Sequence, residues 1–203
     1  MTARRTSEEK QGQRELLVSA ARRVVRRDGA GALTMRAVAR EAGCALGLPY
    51  KVFANREELV LDLVAEELGE LTSALNAWVR TAGRHSVGGN LYRYARILLD
   101  GDVPALLHAN KIDDQAFAQR LRDVTAASGL IDSFDSAMAI YLSEEQKLGR
   151  IRGDVDTATF GFLVTGALHN LVTAGDLYPR PSARQLRAHL DACAAALAPR
   201  SAS

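Results

Sequence analysis

Residues Thr34–Phe53 read TMRAVAREAGCALGLPYKVF. Thr34 is placed to cap a short helix, because its hydroxyl oxygen can accept a free first-turn N–H. Met35, Val38, Ala39 and Ala42 recur at helical spacing and make one side of that helix apolar. Gly43 follows the last periodic residue, where a helix end takes up a left-handed conformation that glycine adopts cheaply. A second short helix fits from about Ala45 to Phe53, with Tyr50 and Phe53 three apart on one face. Two short helices joined by a tight Gly-containing turn form the pattern of a DNA-binding helix-turn-helix.

The flanks extend the pattern on both sides. Residues 1–7 are polar and basic and are expected to be loose. A helix is expected over 8–27, with Leu17, Ala20, Ala21, Val24 and Val25 on its buried side. Asp28-Gly29-Ala30-Gly31 breaks it. Downstream, Asn55 is a good cap for a helix over 56–80, with Glu57 and Glu58 in its positive first turn. That helix carries Leu59, Leu63, Leu68, Leu71, Leu75 and Trp78.

Beyond a turn-rich break at 83–90, helical spacing predicts a helix over 91–99 and a short one from near Pro104. Further helices are expected over 113–125, 130–148, 156–174 and 183–198, the last capped by Ser182. No internal repeat, low-complexity linker or convincing strand interrupts the series, so the expected fold class is all-α.

The 203 residues suffice to bury a proper core. The net charge of +2 hides an asymmetry: through Arg56 there are twelve basic residues against five acidic ones, +7, which leaves −5 for the remainder. A basic head on an acidic body suits a head that meets phosphate. For any single arginine of the first helix, a solvated charged face is the simpler reading. Cys44 and Cys193 lie far apart, show no metal-ligand spacing, and are expected as free thiols.

No signal-peptide layout opens the chain, and the most apolar run, 160–172, is too short to span a bilayer. A cytoplasmic protein without a membrane partner is expected. Enzyme readings find little support. There is no G-x-S-x-G, no phosphate-cradling glycine loop and no H-E-x-x-H. Asp113-Asp114 and Glu144-Glu145 lack the further ligands a metal site needs, and are read as solvated helix faces. No enzyme activity, metal or cofactor is expected.

With its flanks, the segment resembles the N-terminal domain of TetR-type transcriptional repressors. The residues that carry the resemblance are Leu17, Ala21, Gly29, Thr34, Val38-Ala39, Ala42-Gly43, Gly47, Tyr50, Phe53 and Glu58-Leu59. It covers about the first sixty residues; the rest agrees in length and helical character. It implies a three-helix DNA-binding domain over 1–55 and a helical effector-binding and dimerisation domain over 56–203. The helix from Arg56 would join the two and carry a signal between them.

The resemblance also implies roles. Ala45, Leu46, Leu48, Pro49 and Lys51 would face the major groove of a double-stranded operator, and Tyr50 would bring its hydroxyl to a phosphate. Thr34, Arg36 and Arg56 are placed to meet phosphates as well, and Arg4 and Arg5 to reach an adjacent groove. Phe53 is expected in the core. The recognition helix departs from the family in being apolar and short of donors, and Pro49 costs a hydrogen bond unless it lies in the first turn. Readout would then lean on thymine methyls, on Lys51 and on DNA shape.

In the body, Trp78, Tyr92, Tyr94, His108, Phe117, Phe134, Met138, Tyr141 and His169 are candidates to line a cavity for a small apolar or amphipathic effector. The last two helices, with Gly161, Gly166 and Ala167 small and Leu163, Leu168, Leu171 and Leu190 bulky, are expected to form a homodimer interface. The function implied is an effector-released repressor. The alternative is a ligand-binding or interaction module of the same fold without specific DNA binding.

Overall fold

Nine α-helices and one 3-10 turn account for the regular structure of the described residues, with no strand among them. The structure is a computed structural model that describes residues 2–101, 115–173 and 179–200, the side chains of 2–7 and 130–135 excepted. In chain order the helices are α1 (Thr2–Asp28), α2 (Met35–Glu41), α3 (Gly47–Val52), α4 (Arg56–Val79), α5 (Val87–Leu99), α6 (Gln115–Ala127), α7 (Leu130–Lys147), α8 (Thr157–Thr173) and α9 (Ala183–Leu197).

Their boundaries follow local chemistry. Thr34 Oγ1 accepts the Ala37 N–H at 3.1 Å, Asn55 Oδ1 accepts that of Glu58 at 2.9 Å, and Ser182 with Gln185 closes a capping box. Gly43 ends α2 with a φ of 66°, and Cys44 and Gly43 donate back to the carbonyls of Ala39 and Arg40. These two bonds make the Schellman arrangement, which satisfies carbonyls that the helix end leaves open.

Three boundaries differ from expectation. α1 starts at Thr2, since neither proline nor glycine breaks residues 2–7. α5 starts at Val87, because the Ser86 hydroxyl accepts the Gly89 N–H at 3.0 Å and opens the helix before its two glycines. α3 is shorter than expected, so Pro49 falls in its first turn, where the missing N–H costs no helical bond. The short helix expected near Pro104 lies outside the described residues.

The described residues divide into two compact units, and the division falls inside α4, between Leu68 and Gly69. The first unit holds α1–α3, α4 through Leu68, and α6. Its core is built on Leu17, Ala20, Ala21 and Val24 of α1, fully buried together with Leu33, Val38, Leu59 and Val64. Along α1 an ionic seam faces α4. Arg14 pairs with Glu58 at 3.0 Å and with Asp62, and Arg22 Nε lies 2.7 Å from a Glu67 oxygen.

The second unit holds α4 from Gly69, α5 and α7–α9. Here α7 packs on α8, and α5 packs on α9. Both pairings depend on a missing side chain. A Cβ at Gly161 of α8 would sit 3.0 Å from the Ala139 backbone nitrogen of α7. At Gly88 of α5 it would sit 2.3 Å from an Asp191 carboxylate oxygen and 3.2 Å from its Cα on α9.

Candidate DNA-binding face and ligand residues

α1 packs against α2 and α3 and so supports the helix pair. The buried side of the pair is Met35, Val38, Ala39 and Pro49, with Phe53 just beyond α3 in the core. Phe53 is also covered by the Arg14 guanidinium, 4.7 Å from its ring centroid, a cation–π contact that ties α1 to the end of the motif.

Most of the residues expected to face DNA lie at the surface. Thr34, Arg36, Ala45, Leu46, Tyr50 and Lys51 are all exposed, Tyr50 by 59% and Leu46 by 43%. Three others are placed differently. Pro49 is buried, so its ring serves the packing side of α3 and does not look outward. Leu48 is half-buried beside it. Arg56 is half-buried too, and its Nε donates to the Leu33 carbonyl at 2.6 Å, which ties the start of α4 to the segment before α2.

The basic surplus of the head is partly spent inside it. Arg23 and Arg27 both donate to Glu41, at 2.8 and 2.6 Å, and Arg27 also pairs with Asp28. The bonds from Arg27, then Arg23, hold the Glu41 carboxyl below its ordinary range, and Arg27 does the same for Asp28. Glu58 is held low first by the Ala54 N–H and then by Arg14. Among the described residues, Arg36, Arg40 and Lys51 form no ion pair, although the Arg40 charge helps to hold Asp28 low.

In the second unit, Trp78, Tyr94 and Tyr141 meet. The Trp78 ring lies 4.7 Å from that of Tyr94 and 4.3 Å from that of Tyr141, centroid to centroid. Met138 is buried in the same unit. A polar chain runs through this packing. Trp78 Nε1 donates to the Asn90 carbonyl at 2.8 Å, the Asn90 amide to the Tyr141 hydroxyl at 2.9 Å, and that hydroxyl to Glu145 at 2.6 Å. Arg150 lies 3.3 Å from the second Glu145 oxygen and donates to the His85 carbonyl. Burial, reinforced by Glu145, pushes the Tyr141 phenol well above its ordinary value.

The other expected ligand residues do not join this cluster. Tyr92 is half-buried under the Arg187 guanidinium at 5.2 Å, and His169 is exposed. Phe117 is buried in the first unit. His108 and the Phe134 side chain lie outside the described residues. Glu145, expected on a solvated face, is fully buried. The sequence did hold a signal: Glu145 follows Tyr141 by four residues, on the side of α7 that also carries Met138 and Leu142. Asn90, equally buried, gave no such sign.

The expected dimer face is also redistributed. Gly161 is used inside the protomer, against Ala139. Leu168, Leu171 and Leu190 are buried, whereas Leu163, Gly166 and Ala167 are exposed. Phe162, which spacing did not single out, is 75% exposed beside Leu163 at 56%. Between α8 and α9 runs an apolar groove of about 620 Å³, lined by Leu163, Val164, Ala167, Leu186 and Leu190 among others. Among the described residues no helix is long and apolar enough to cross a membrane.

A basic, three-helix head with an exposed second helix, continued by a helical body, defines a helix-turn-helix protein of two units. Residues 17–63 match the family model for bacterial regulatory proteins of the tetR family. Over 62 residues the chain is 37% identical to the HTH-type nicotine-responsive transcriptional repressor HdnoR of Paenarthrobacter nicotinovorans; the match spans 30% of this chain and about a third (32%) of that protein. Among solved structures, a TetR-family transcriptional regulator from Cytophaga hutchinsonii aligns over 95% of this chain and 98% of its own, with a TM-score of 0.62 at 18% identity. A protein of unknown function from Rhodococcus sp. RHA1 aligns over 92% and 96%, with a TM-score of 0.59 at 25% identity. Over residues 17–63 the chain thus matches the tetR family model, and its fold as a whole is similar to that of the solved TetR-family structure.

Proposed function

We infer that the chain is a transcriptional repressor that holds an operator as a homodimer and is released by a small apolar or amphipathic effector. Residues 1–55 would bind DNA and 56–203 would bind the effector and dimerise. The observation that carries this reading is the exposed face of Thr34, Arg36, Leu46, Tyr50 and Lys51 on a head whose other side is core. Thr34 uses one lone pair on the Ala37 N–H, which leaves its O–H to donate to a phosphate. Tyr50 and Lys51 end in donors of the same use. Dimerisation is supported by the exposed Phe162 and Leu163 and the apolar groove beside them, a surface of the kind that monomers rarely leave open. Two heads are needed to reach successive major grooves about 34 Å apart. The effector is assigned to the second unit; Trp78, Tyr94, Met138, Tyr141 and Asn90 are all buried there, so a ligand among them requires the helices to part. It shifts DNA binding only by its difference in affinity for two conformations of the body.

The test is a selection of the full chain against random duplex DNA, repeated in rising salt. A palindrome with half-sites about one turn apart, lost on Tyr50→Phe with Lys51→Ala, is the expected result. Weak, sequence-blind binding that disappears with moderate salt would show charge alone at work and would leave the module without specific DNA binding as the better reading.

A further inference from the structure

We propose that the head reads thymine 5-methyl groups, so that the core of each operator half-site consists of T·A pairs contacted by Leu46 and Ala45. The proposal rests on the repressor reading and gives it a substrate chemistry. In the major groove, guanine is read by the paired donors of arginine or lysine, adenine by the amide of asparagine or glutamine, and thymine by apolar contact with its methyl. From Ala45 to Val52 the chain holds no arginine, asparagine, glutamine, serine, threonine or carboxylate. Its outward residues are Ala45, Leu46, Gly47, Tyr50 and Lys51, since Pro49 turns into the core and Leu48 half follows it.

Several arginines of the head whose side chains are described are already engaged elsewhere. Arg14 is held by Glu58 and Asp62, Arg23 and Arg27 by Glu41, and Arg56 by the Leu33 carbonyl. Arg36 and Arg40, without ion pairs among the described residues, lie on α2, the helix that crosses the phosphate backbone in this docking mode. Leu46 is therefore the outstanding feature of the reading face, a large apolar side chain left 43% exposed at the point where α3 begins. Gly47 beside it carries no side chain to hold the backbone away from the groove. Lys51 and the Tyr50 hydroxyl, about one turn further along α3, are groups that suit phosphate. An apolar tip with phosphate-binding groups beside it matches a groove floor of methyl groups next to an anionic strand.

The experiment takes the site enriched by selection and compares it with the same duplex carrying deoxyuridine for thymidine in the half-site cores, which removes only the methyls. Binding is titrated at one salt concentration. Wild-type protein should lose about fourfold in affinity for each contacted methyl removed, and about fifteenfold when both half-sites lose one. Leu46→Ala should shrink the difference between the two duplexes to what Ala45 contributes, and Lys51→Ala should weaken both by the same factor. Equal wild-type affinity for the thymidine and deoxyuridine duplexes overturns the methyl reading and leaves the repressor reading standing. So does a half-site fixed by guanine and weakened by 7-deazaguanine. If selection enriches no site at all, both readings fall together.

Discussion

The Tyr141 hydroxyl donates to the Glu145 carboxylate at 2.6 Å, one turn further along α7, with both side chains fully buried. The same hydroxyl accepts from Asn90, so one atom joins α7 to α5 in the middle of the second unit. Tyr141→Phe removes it and leaves two buried groups short of a partner. Denaturant unfolding should show a loss of about 1–3 kcal/mol. A loss under about 0.5 kcal/mol, the range of an ordinary surface change, would mean that the chain of bonds is not structural. The phenol also has a pH signature. Its folded pKa is raised, so its contribution is complete below the unfolded value, about 10, and is lost as pH rises beyond it. Tyr141→Phe should flatten that alkaline fall in melting temperature.

Gly88 and Asp191 set the approach of α5 to α9. Gly88→Ala places a Cβ 3.2 Å from the Asp191 Cα, backbone that cannot swing aside, so the helices must part. A destabilisation of about 1–3 kcal/mol is expected by thermal or denaturant unfolding. Gly69→Ala is the control, a helical glycine whose added Cβ meets nothing within 4 Å. It should be neutral or stabilising by up to about 1 kcal/mol. Equal effects at the two positions would contradict the close approach.

Glu41 holds Arg23 and Arg27 and is itself held below its ordinary pKa by them, Arg27 first. A depressed carboxylate contributes stability that is complete above its unfolded value, about 4.3, and is lost as pH falls through its folded value. The melting temperature of the wild type should therefore drop more steeply below that pH than that of Glu41→Gln. Parallel curves for the two proteins would show the bridge to be idle.

Phe162 and Leu163 test the dimer face. Both are exposed on α8, so Phe162→Asp with Leu163→Asp leaves the interior of the protomer untouched. Light scattering should report a monomer with unchanged helical content, and operator binding should fall at least tenfold. A dimer that survives the pair of substitutions moves the interface elsewhere.

Thr34 caps α2 through the Ala37 N–H. Thr34→Ala should cost about 1 kcal/mol of stability, while Thr34→Ser, which keeps the acceptor, should cost less. An unfolding curve unmoved by Thr34→Ala would make the cap dispensable.

The order of the helices and their caps were legible in the sequence because each depends on neighbours within a turn or two, whereas the outward residues of the head were expected from the family resemblance. Thr34, Asn55 and Ser182 each bond an N–H three residues on, and α2 ends through bonds from Gly43 to the Arg40 carbonyl and from Cys44 to that of Ala39. Such bonds need no other part of the chain. Periodicity likewise placed Leu17 and Ala21 in the core, and the usual burial of apolar aromatics placed Phe53 there, as the structure has them. What a side chain meets across the fold was another matter. Gly161 looked like a small residue kept for a partner subunit, yet it fits against Ala139 of its own chain. Glu145 looked like half of a solvated acidic pair, yet Tyr141 and Arg150 make its burial possible. Trp78, Tyr94 and Tyr141 converge, while Phe117, of the same chemical kind, lies in the other unit. Local hydrogen bonding depends on the order of residues along the chain, whereas these contacts depend on which helix faces come together in space. That choice is made by the summed packing of many residues, and no single stretch carries it.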